Sequence, residues 1–492
     1  MRSIRAAWPL AAALLAGLFL GVLLLERGAV LPLAGIGAAA LVWVTVSRAE
    51  AVLLLLLAFA TSLIPGDLNL SVRLAVVNVY VTDLLFMPLL AVLLLRLLLR
   101  DGWRWRSTPL DLPLLLFLGA TVSGMLTASL TRGVPLADTT YEAHFLLYYV
   151  AFFLVTNMVR RPEQLRRLVI GGFAIALLVA LTIVVQGLGV AIPFVSASIL
   201  RTDEGVIRMF HPGGSLLFHS LIVVTCYLLL AGAETRLLPI VSAGGLLAVA
   251  LAMGLSRNTL IAAAVGLLVG VIILRGRHLS RLMVPGILLL AIIGAVLWLE
   301  TNGQSSFLGR YLEAYGTRVS RMLSGDLLTD ADTLNWRLRE VEYAVPLVRE
   351  NPVLGIGLSV PYRPPFYVTD PLTRYIHNSY LWLWLKTGLV GLVAFLWLSY
   401  RFLTRSLRLW QGNSSDLMQA LVLGTGLAFL GDMLSNLVAP SFVQDWGSLV
   451  YPLLLGAVEC ALMAVPAPAL APVRREVAPW PVTWQYRKPA SR

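Results

Sequence analysis

The chain has 492 residues, of which 58% are hydrophobic and 13% are charged. Soluble domains carry about 25% charged residues, so this composition excludes an ordinary soluble domain, and it is too apolar for a disordered chain. A formal net charge of +12 is compatible with nucleic-acid binding in principle. Here the basic residues lie in short loops between apolar runs, where they set membrane topology, so we expect no nucleic-acid partner.

The apolar residues fall in runs long enough to cross a hydrocarbon layer of about 30 Å as helices. We therefore predict an all-α polytopic membrane protein with about 14 transmembrane helices. The predicted spans are 8–25, 29–46, 50–64, 79–99, 111–130, 143–158, 167–187, 214–232, 236–255, 257–274, 283–300, 376–400, 417–438 and 446–464. The resulting organisation is helices 1–11 in 1–300, a large loop in 301–375, helices 12–14 in 376–464, and a tail in 465–492. Both cysteines, Cys226 and Cys460, lie in apolar runs, so neither a disulfide framework nor a metal site is implied.

The distribution of arginine between alternate loops gives the predicted orientation. One set of loops holds clusters such as 96–106, 160–167 and 275–281, whereas the other set holds mostly single arginines. Positive charge accumulates in cytoplasmic loops, so both termini and the tail are predicted to be cytoplasmic and the 301–375 loop extracytoplasmic. That loop is expected to be structured, with helical stretches over 307–324 and 333–350.

Ionisable residues are expensive in a bilayer, at about 2.5–3.5 kcal/mol each on insertion scales, so their positions are informative. Residues from different predicted spans converge at the outer ends of those spans, which favours a polar site open to the outside; the alternative for each one is interfacial snorkelling. This set is Asp83, Glu142, His144, Arg208, His211, His219, Arg257, His377 and Asp432. Lys386 lies deeper, and Asp432 is its expected partner.

Five segments together resemble the O-antigen ligase and polymerase family of membrane glycosyltransferases. The stretch 352–357 reads Pro-x-x-Gly-x-Gly at the end of the large loop, and 377–381 reads His-Asn-x-x-Leu at the start of the next helix. Ser-Arg at 256–257 and Arg-Met-Phe-His-Pro at 208–212 resemble two further family segments. The segment 79–85 resembles the family's early Asp-Leu-Leu helix start.

This resemblance implies transfer of a glycan from an undecaprenyl-diphosphate carrier to an acceptor hydroxyl, on the outer face of the bacterial inner membrane, without cofactor or metal. Arg208 and Arg257 would bind the diphosphate, because a guanidinium stays charged and binds phosphate bidentately. His377 would be the general base, because imidazole accepts a proton at neutral pH. Possible supporting residues are Asn378, His211, Asp83 and Arg339, which is separated from Gly355 by 15 intervening residues in a spacing noted in polymerases.

Structural explanations remain open for each of these residues. The arginines can be interfacial anchors, His377 can cap or pack at a helix start, and the glycines at 355 and 357 can simply allow tight packing rather than a phosphate contact. Gly213 and Gly214 stand where the family often has Asn, and Lys386 where Glu is frequent. The resemblance does not separate ligase from polymerase or identify the sugar and acceptor. Two other classes remain: a transporter of bicarbonate or another solute, and a non-catalytic assembly subunit.

Overall fold

The computed structural model describes residues 31–64, 71–74, 77–99, 103–188, 198–201, 207–232, 235–254, 256–274, 331–365, 371–413, 415–443 and 446–464, with a few isolated positions between them. The side chains of Arg208 and Arg257 lie outside the described part. The α-helices are α1 Leu31–Ser47, α2 Ala49–Ala60, α3 Val81–Leu99, α4 Asp111–Arg132, α5 Leu136–Leu147, α6 Ala151–Met158, α7 Pro162–Gly187, α8 Gly214–Leu230, α9 Leu237–Met253, α10 Arg257–Ile273, α11 Ala331–Glu350, α12 Ser379–Leu409, α13 Asp416–Ser435 and α14 Val450–Met463.

Two short antiparallel ribbons each precede an apolar helix. Strands β1 (Ser71–Leu74) and β2 (Val77–Tyr80) pair with Ser71 opposite Tyr80 and lead directly into α3. Strands β3 (Ser198–Arg201) and β4 (Ile207–Phe210) pair with Ser198 opposite Phe210 and lead into α8. Each ribbon therefore positions the polar residues at the start of the helix that follows it.

Among the described residues, five helices are long and apolar enough to span a bilayer alone: α3, α4, α7, α12 and α13. The part 39–47 of α1 and helix α2 pass that test only together, and they are bent by 114° relative to each other. Helices α8, α9, α10 and α14 are apolar but shorter. The all-helical membrane class is confirmed. The count of about 14 stays a prediction, and the predicted spans 8–25 and 283–300 lie outside the described residues.

The large loop contributes one well-described helix to the site. Helix α11 covers the predicted stretch 333–350 and ends before Asn351-Pro352, where proline disfavours a helical conformation in the residue before it. The predicted helix over 307–324 falls almost entirely outside the described residues. Buried Ala344 and Val348 and exposed Arg349 show that α11 has one packed face and one open face.

The glycine-containing stretch 352–357 after α11 packs closely against the backbone of α12. Helix α12 is broken at Gly388, which has φ 68° and ψ −173°, so backbone groups on either side of the break lose their helical partners. The loop replaces those partners: Ile356 N–H donates to the Leu385 carbonyl at 2.8 Å, and Leu389 N–H donates to the Pro352 carbonyl at 2.9 Å. Gly355 has φ 72°, and a Cβ there would lie 2.6 Å from the Leu385 carbonyl oxygen. This geometry favours the packing explanation over a phosphate contact.

Lys386 has a different partner from the one expected. Its Nζ donates to the Val360 carbonyl at 2.5 Å and lies 3.9 Å from a Glu142 carboxylate oxygen, so the expected pairing with Asp432 is wrong. Glu142 also accepts a hydrogen bond from the Ser359 N–H. The sequence indicates only the approximate depth of Lys386 and Asp432, whereas the neighbouring element that each side chain faces is decided by helix packing.

Candidate functional site

A polar cavity of about 560 Å³ lies between the starts of α8 and α10, the ends of α9 and α13, the loop helix α11 and the start of α12. We call it the polar cavity. Its polar lining includes His211, Ser256, Asn258, Arg337, His377 and Asp432. The predicted base therefore lines the same cavity as both neighbours of Arg257 and as His211, which is three residues after Arg208. Apolar residues of α8 and α9, such as Phe218 and Leu251, complete its wall.

His377 is held by a carboxylate from α11. Nδ1 of His377 lies 2.7 Å from one oxygen of Glu340, and the His377 backbone N–H donates to the other oxygen at 2.9 Å. The Glu340 side chain is 7% exposed and that of His377 is 36% exposed. Because a carboxylate only accepts, Nδ1 carries a proton, and in the neutral ring the lone pair is therefore on Nε2. That is the tautomer a general base requires.

His211 has the opposite arrangement. Its Nδ1 accepts a hydrogen bond from the Gly213 N–H at 3.0 Å, so the neutral ring carries its proton on Nε2. That Nε2 is buried and has no hydrogen-bond partner among the described residues. Burial lowers the pKa of His211 to about 4, so the ring is a neutral donor at physiological pH. Gly213 fits this turn because a Cβ there would lie 2.8 Å from Cγ1 of Val179.

The two predicted diphosphate-binding arginines are close in sequence to residues that line the cavity. Arg257 is the first residue of α10, between Ser256 and Asn258, which both line the cavity. Ser256 caps the helix by accepting from the Thr259 N–H, and Asn258 donates to Ser435 Oγ at 2.9 Å. Arg208 lies in β4, three residues before His211.

The loop helix supplies an arginine that the sequence did not single out. Arg337 lines the cavity, donates from one guanidinium nitrogen to the Val438 carbonyl at 3.4 Å, and has a buried Nε without a partner among the described residues. The predicted Arg339 is exposed, two residues further along α11, and does not line the cavity. Two residues correspond to about 200° around a helix. Arg339, which the spacing to Gly355 had indicated, therefore lies on nearly the opposite face of α11 from Arg337.

Asp432 and His219 form the buried inner end of the site. His219 Nδ1 donates to the Ser215 carbonyl at 2.9 Å and lies 3.5 Å from an Asp432 carboxylate oxygen. The Tyr451 hydroxyl lies 3.1 Å from Ser215 Oγ. Ser215 therefore contacts His219 through its carbonyl and Tyr451 through its side chain. Two of the polar residues predicted at one depth thus meet in the structure, and one of them, Asp432, lines the cavity.

Asn378 and Asp83 have local structural partners. The Asn378 side chain caps α12 by accepting from the N–H groups of Tyr380 and Leu381, both at 2.9 Å. Asp83 accepts from the Tyr80 N–H at 2.8 Å and lies 2.5 Å from His144 Nε2, which ties the β1–β2 ribbon to α5. The cavity lining does not include Asp83.

The fold and the site define a multi-helix membrane protein with a polar cavity enclosed by transmembrane helix ends and one loop helix. Residues 242–396 match the family model described as O-antigen ligase, which confirms the resemblance to the O-antigen ligase and polymerase family over this segment. The matched segment contains Arg257, Arg337, Glu340 and His377, and excludes Arg208 and His211. A search of curated proteins found no match.

Proposed function

We propose that the protein is a membrane glycosyltransferase of the ligase or polymerase type, which moves a glycan from an undecaprenyl-diphosphate carrier to a hydroxyl of a glycan or lipid acceptor. The family match supports membrane glycan transfer in general. We further propose that the cavity opens at the outer face of the bacterial inner membrane and that both termini are cytoplasmic. The observation that carries the reaction is that His377, with Nδ1 facing Glu340, lies in one cavity with both neighbours of Arg257 and with His211, three residues after Arg208.

The proposed reaction is a displacement at the anomeric carbon of the donor sugar. The acceptor oxygen forms the new bond to that carbon, while the bond from the carbon to the diphosphate oxygen breaks and its electron pair leaves with the diphosphate. The hydroxyl proton goes to Nε2 of His377, which is the nitrogen left free by the Glu340 contact. No cofactor is required by this balance.

The leaving diphosphate gains negative charge, so catalysis needs cations or positive dipoles around it. Arg208 and Arg257 are the proposed ligands, and Arg337 adds a guanidinium already facing the cavity. The first residues of α8 and α10 also line the cavity, and helix N-termini stabilise anions through their free N–H groups. The Nε2–H of His211 is a further donor for a phosphate or sugar oxygen.

The test is transfer from a purified polyprenyl-diphosphate glycan to candidate acceptors in nanodiscs. Replacing Arg257 with Ala should lower transfer by about 10²–10³-fold, the usual effect of removing one transition-state donor. Arg257→Lys should recover only part of it, because an ammonium cannot reproduce the bidentate fork. Arg349→Ala, on the exposed face of α11, is the matched control and should leave the rate unchanged.

The same purified protein can be used to distinguish a glycosyltransferase from a solute transporter. We expect EDTA to have little effect, since only arginine and histidine side chains act in the proposed steps. Arg208→Ala should behave like Arg257→Ala. Full activity of both alanine variants would refute diphosphate binding by these residues, and a strict divalent-metal requirement would refute the mechanism. Solute flux in proteoliposomes, with no transfer to any acceptor, would establish the transporter instead.

A further inference from the structure

We infer that Glu340 is the positioning residue for His377: it selects the protonated nitrogen of the imidazole and sets the direction of the ring. The inference rests on the proposed role of His377 as base. It assigns a function to a residue of the large loop, whereas every predicted site residue except Arg339 lay at a helix end.

The contact between the two residues uses both oxygens of the carboxylate. One accepts from the ring Nδ1 at 2.7 Å and the other from the backbone N–H of the same histidine at 2.9 Å. Two points of attachment to one residue fix the backbone and the ring together, which a single hydrogen bond does not. The Tyr375 ring, edge-on to His377 at 4.9 Å between centroids, limits the remaining rotation.

The Glu340 carboxylate is held in place by the packing of the loop helix α11. Glu340 is buried and lies on α11, on the same side as the buried Ala344. Its position therefore depends on the packing of α11 against the rest of the protein. The base is consequently assembled from two separate parts of the chain: α12 brings the imidazole, and the loop helix brings the group that orients it. An undocked α11 leaves His377 without that orientation.

The decisive variant is Glu340→Gln, which keeps the size of the side chain. An amide has one acceptor and one donor group, so it cannot accept from both N–H groups of His377. With its oxygen on the backbone N–H, its NH₂ faces Nδ1 and forces the ring proton onto Nε2, where it blocks the base. With the oxygen on Nδ1, its NH₂ opposes the backbone N–H and the contact is lost.

We expect Glu340→Gln to lower kcat by about 10–100-fold, the usual effect of losing an orienting partner, with donor and acceptor KM changed less than threefold. Glu342→Gln, two residues along the same helix and exposed, is the matched control and should match the wild type. In a His377→Ala background, Glu340→Gln should have no further effect on kcat, because Glu340 acts through that ring. An unchanged kcat in Glu340→Gln, or additive losses in the double variant, would overturn the inference.

A second readout does not depend on catalysis. The chain has five histidines, so the ¹⁵N ring signals of His377 can be assigned by their loss in His377→Ala. We expect a protonated Nδ1 and free Nε2 in the wild type and in Glu342→Gln, and a changed ring state in Glu340→Gln or, should that variant fold poorly, in Glu340→Asp. Wild-type ring signals in both Glu340 variants would refute positioning. An inactive wild type with the expected ring signals would refute the proposed function instead.

Discussion

Two histidines from the same predicted polar layer have opposite environments. His377 precedes α12 and donates a hydrogen bond from Nδ1–H to a buried carboxylate, so Nε2 of the neutral ring is the acceptor. His211 precedes α8 and receives a backbone N–H at Nδ1, which leaves Nε2 as a donor. Both line the polar cavity. The group facing Nδ1, rather than the residue type or its depth, therefore decides whether Nε2 of a neutral histidine in this site accepts or donates a hydrogen bond.

The sharpest test of that contrast is His377→Ala. Removing the base should lower the transfer rate by about 10²–10⁴-fold, while binding of the lipid-linked donor stays close to that of the wild type because the arginines remain. Single-turnover transfer and equilibrium donor binding in nanodiscs measure the two quantities. A fully active His377→Ala protein would refute the assignment.

His211→Ala should have a smaller effect than His377→Ala. Loss of one neutral hydrogen-bond donor costs about 0.5–1.5 kcal/mol, so transfer should fall roughly 3- to 10-fold. His211→Gln should retain more activity, because the amide NH₂ lies near the position of Nε2–H. His278→Ala, in a predicted cytoplasmic loop, is the control and should match the wild type. A loss as large as that of His377→Ala would remove the distinction between the two histidines.

The smallest expected effect is on the pH dependence of stability. Because the pKa of His211 is about 4 in the folded chain and near 6.5 in an unfolded one, only the unfolded chain takes up this proton as the pH falls between those values. The contribution of the neutral His211 ring to the free energy of unfolding is therefore fully present above pH 6.5. It decreases on acidification, by roughly 1–2 kcal/mol at pH 5. Thermal unfolding in detergent at pH 7.5 and 5 should show a smaller acid-induced decrease for His211→Gln. An equal decrease would mean that His211 is not buried as a neutral ring.

The Pro-x-x-Gly-x-Gly stretch marks a position of importance, but its sequence does not show whether the glycines serve binding or packing. The sequence marked 352–357 as special, but glycine serves equally for phosphate contact and for close backbone approach. The break of α12 at Gly388 decides between them, because the carbonyl of Leu385 and the N–H of Leu389 need partners that this stretch supplies. No local pattern around Gly355 indicates that a helix is broken more than thirty residues later.

By itself the sequence determined the helical membrane class, the position of α11 and the placement of His377 and His211 just before the starts of apolar helices, since these follow from apolar runs, periodicity and the cost of charge in a bilayer. Tertiary structure decided which polar residues meet. It paired Glu340 with His377 and Lys386 with Glu142, and it brought Arg337 rather than Arg339 to the cavity. Such contacts depend on which helix faces which and on the rotation of each helix about its axis, and both are properties of packing between distant segments.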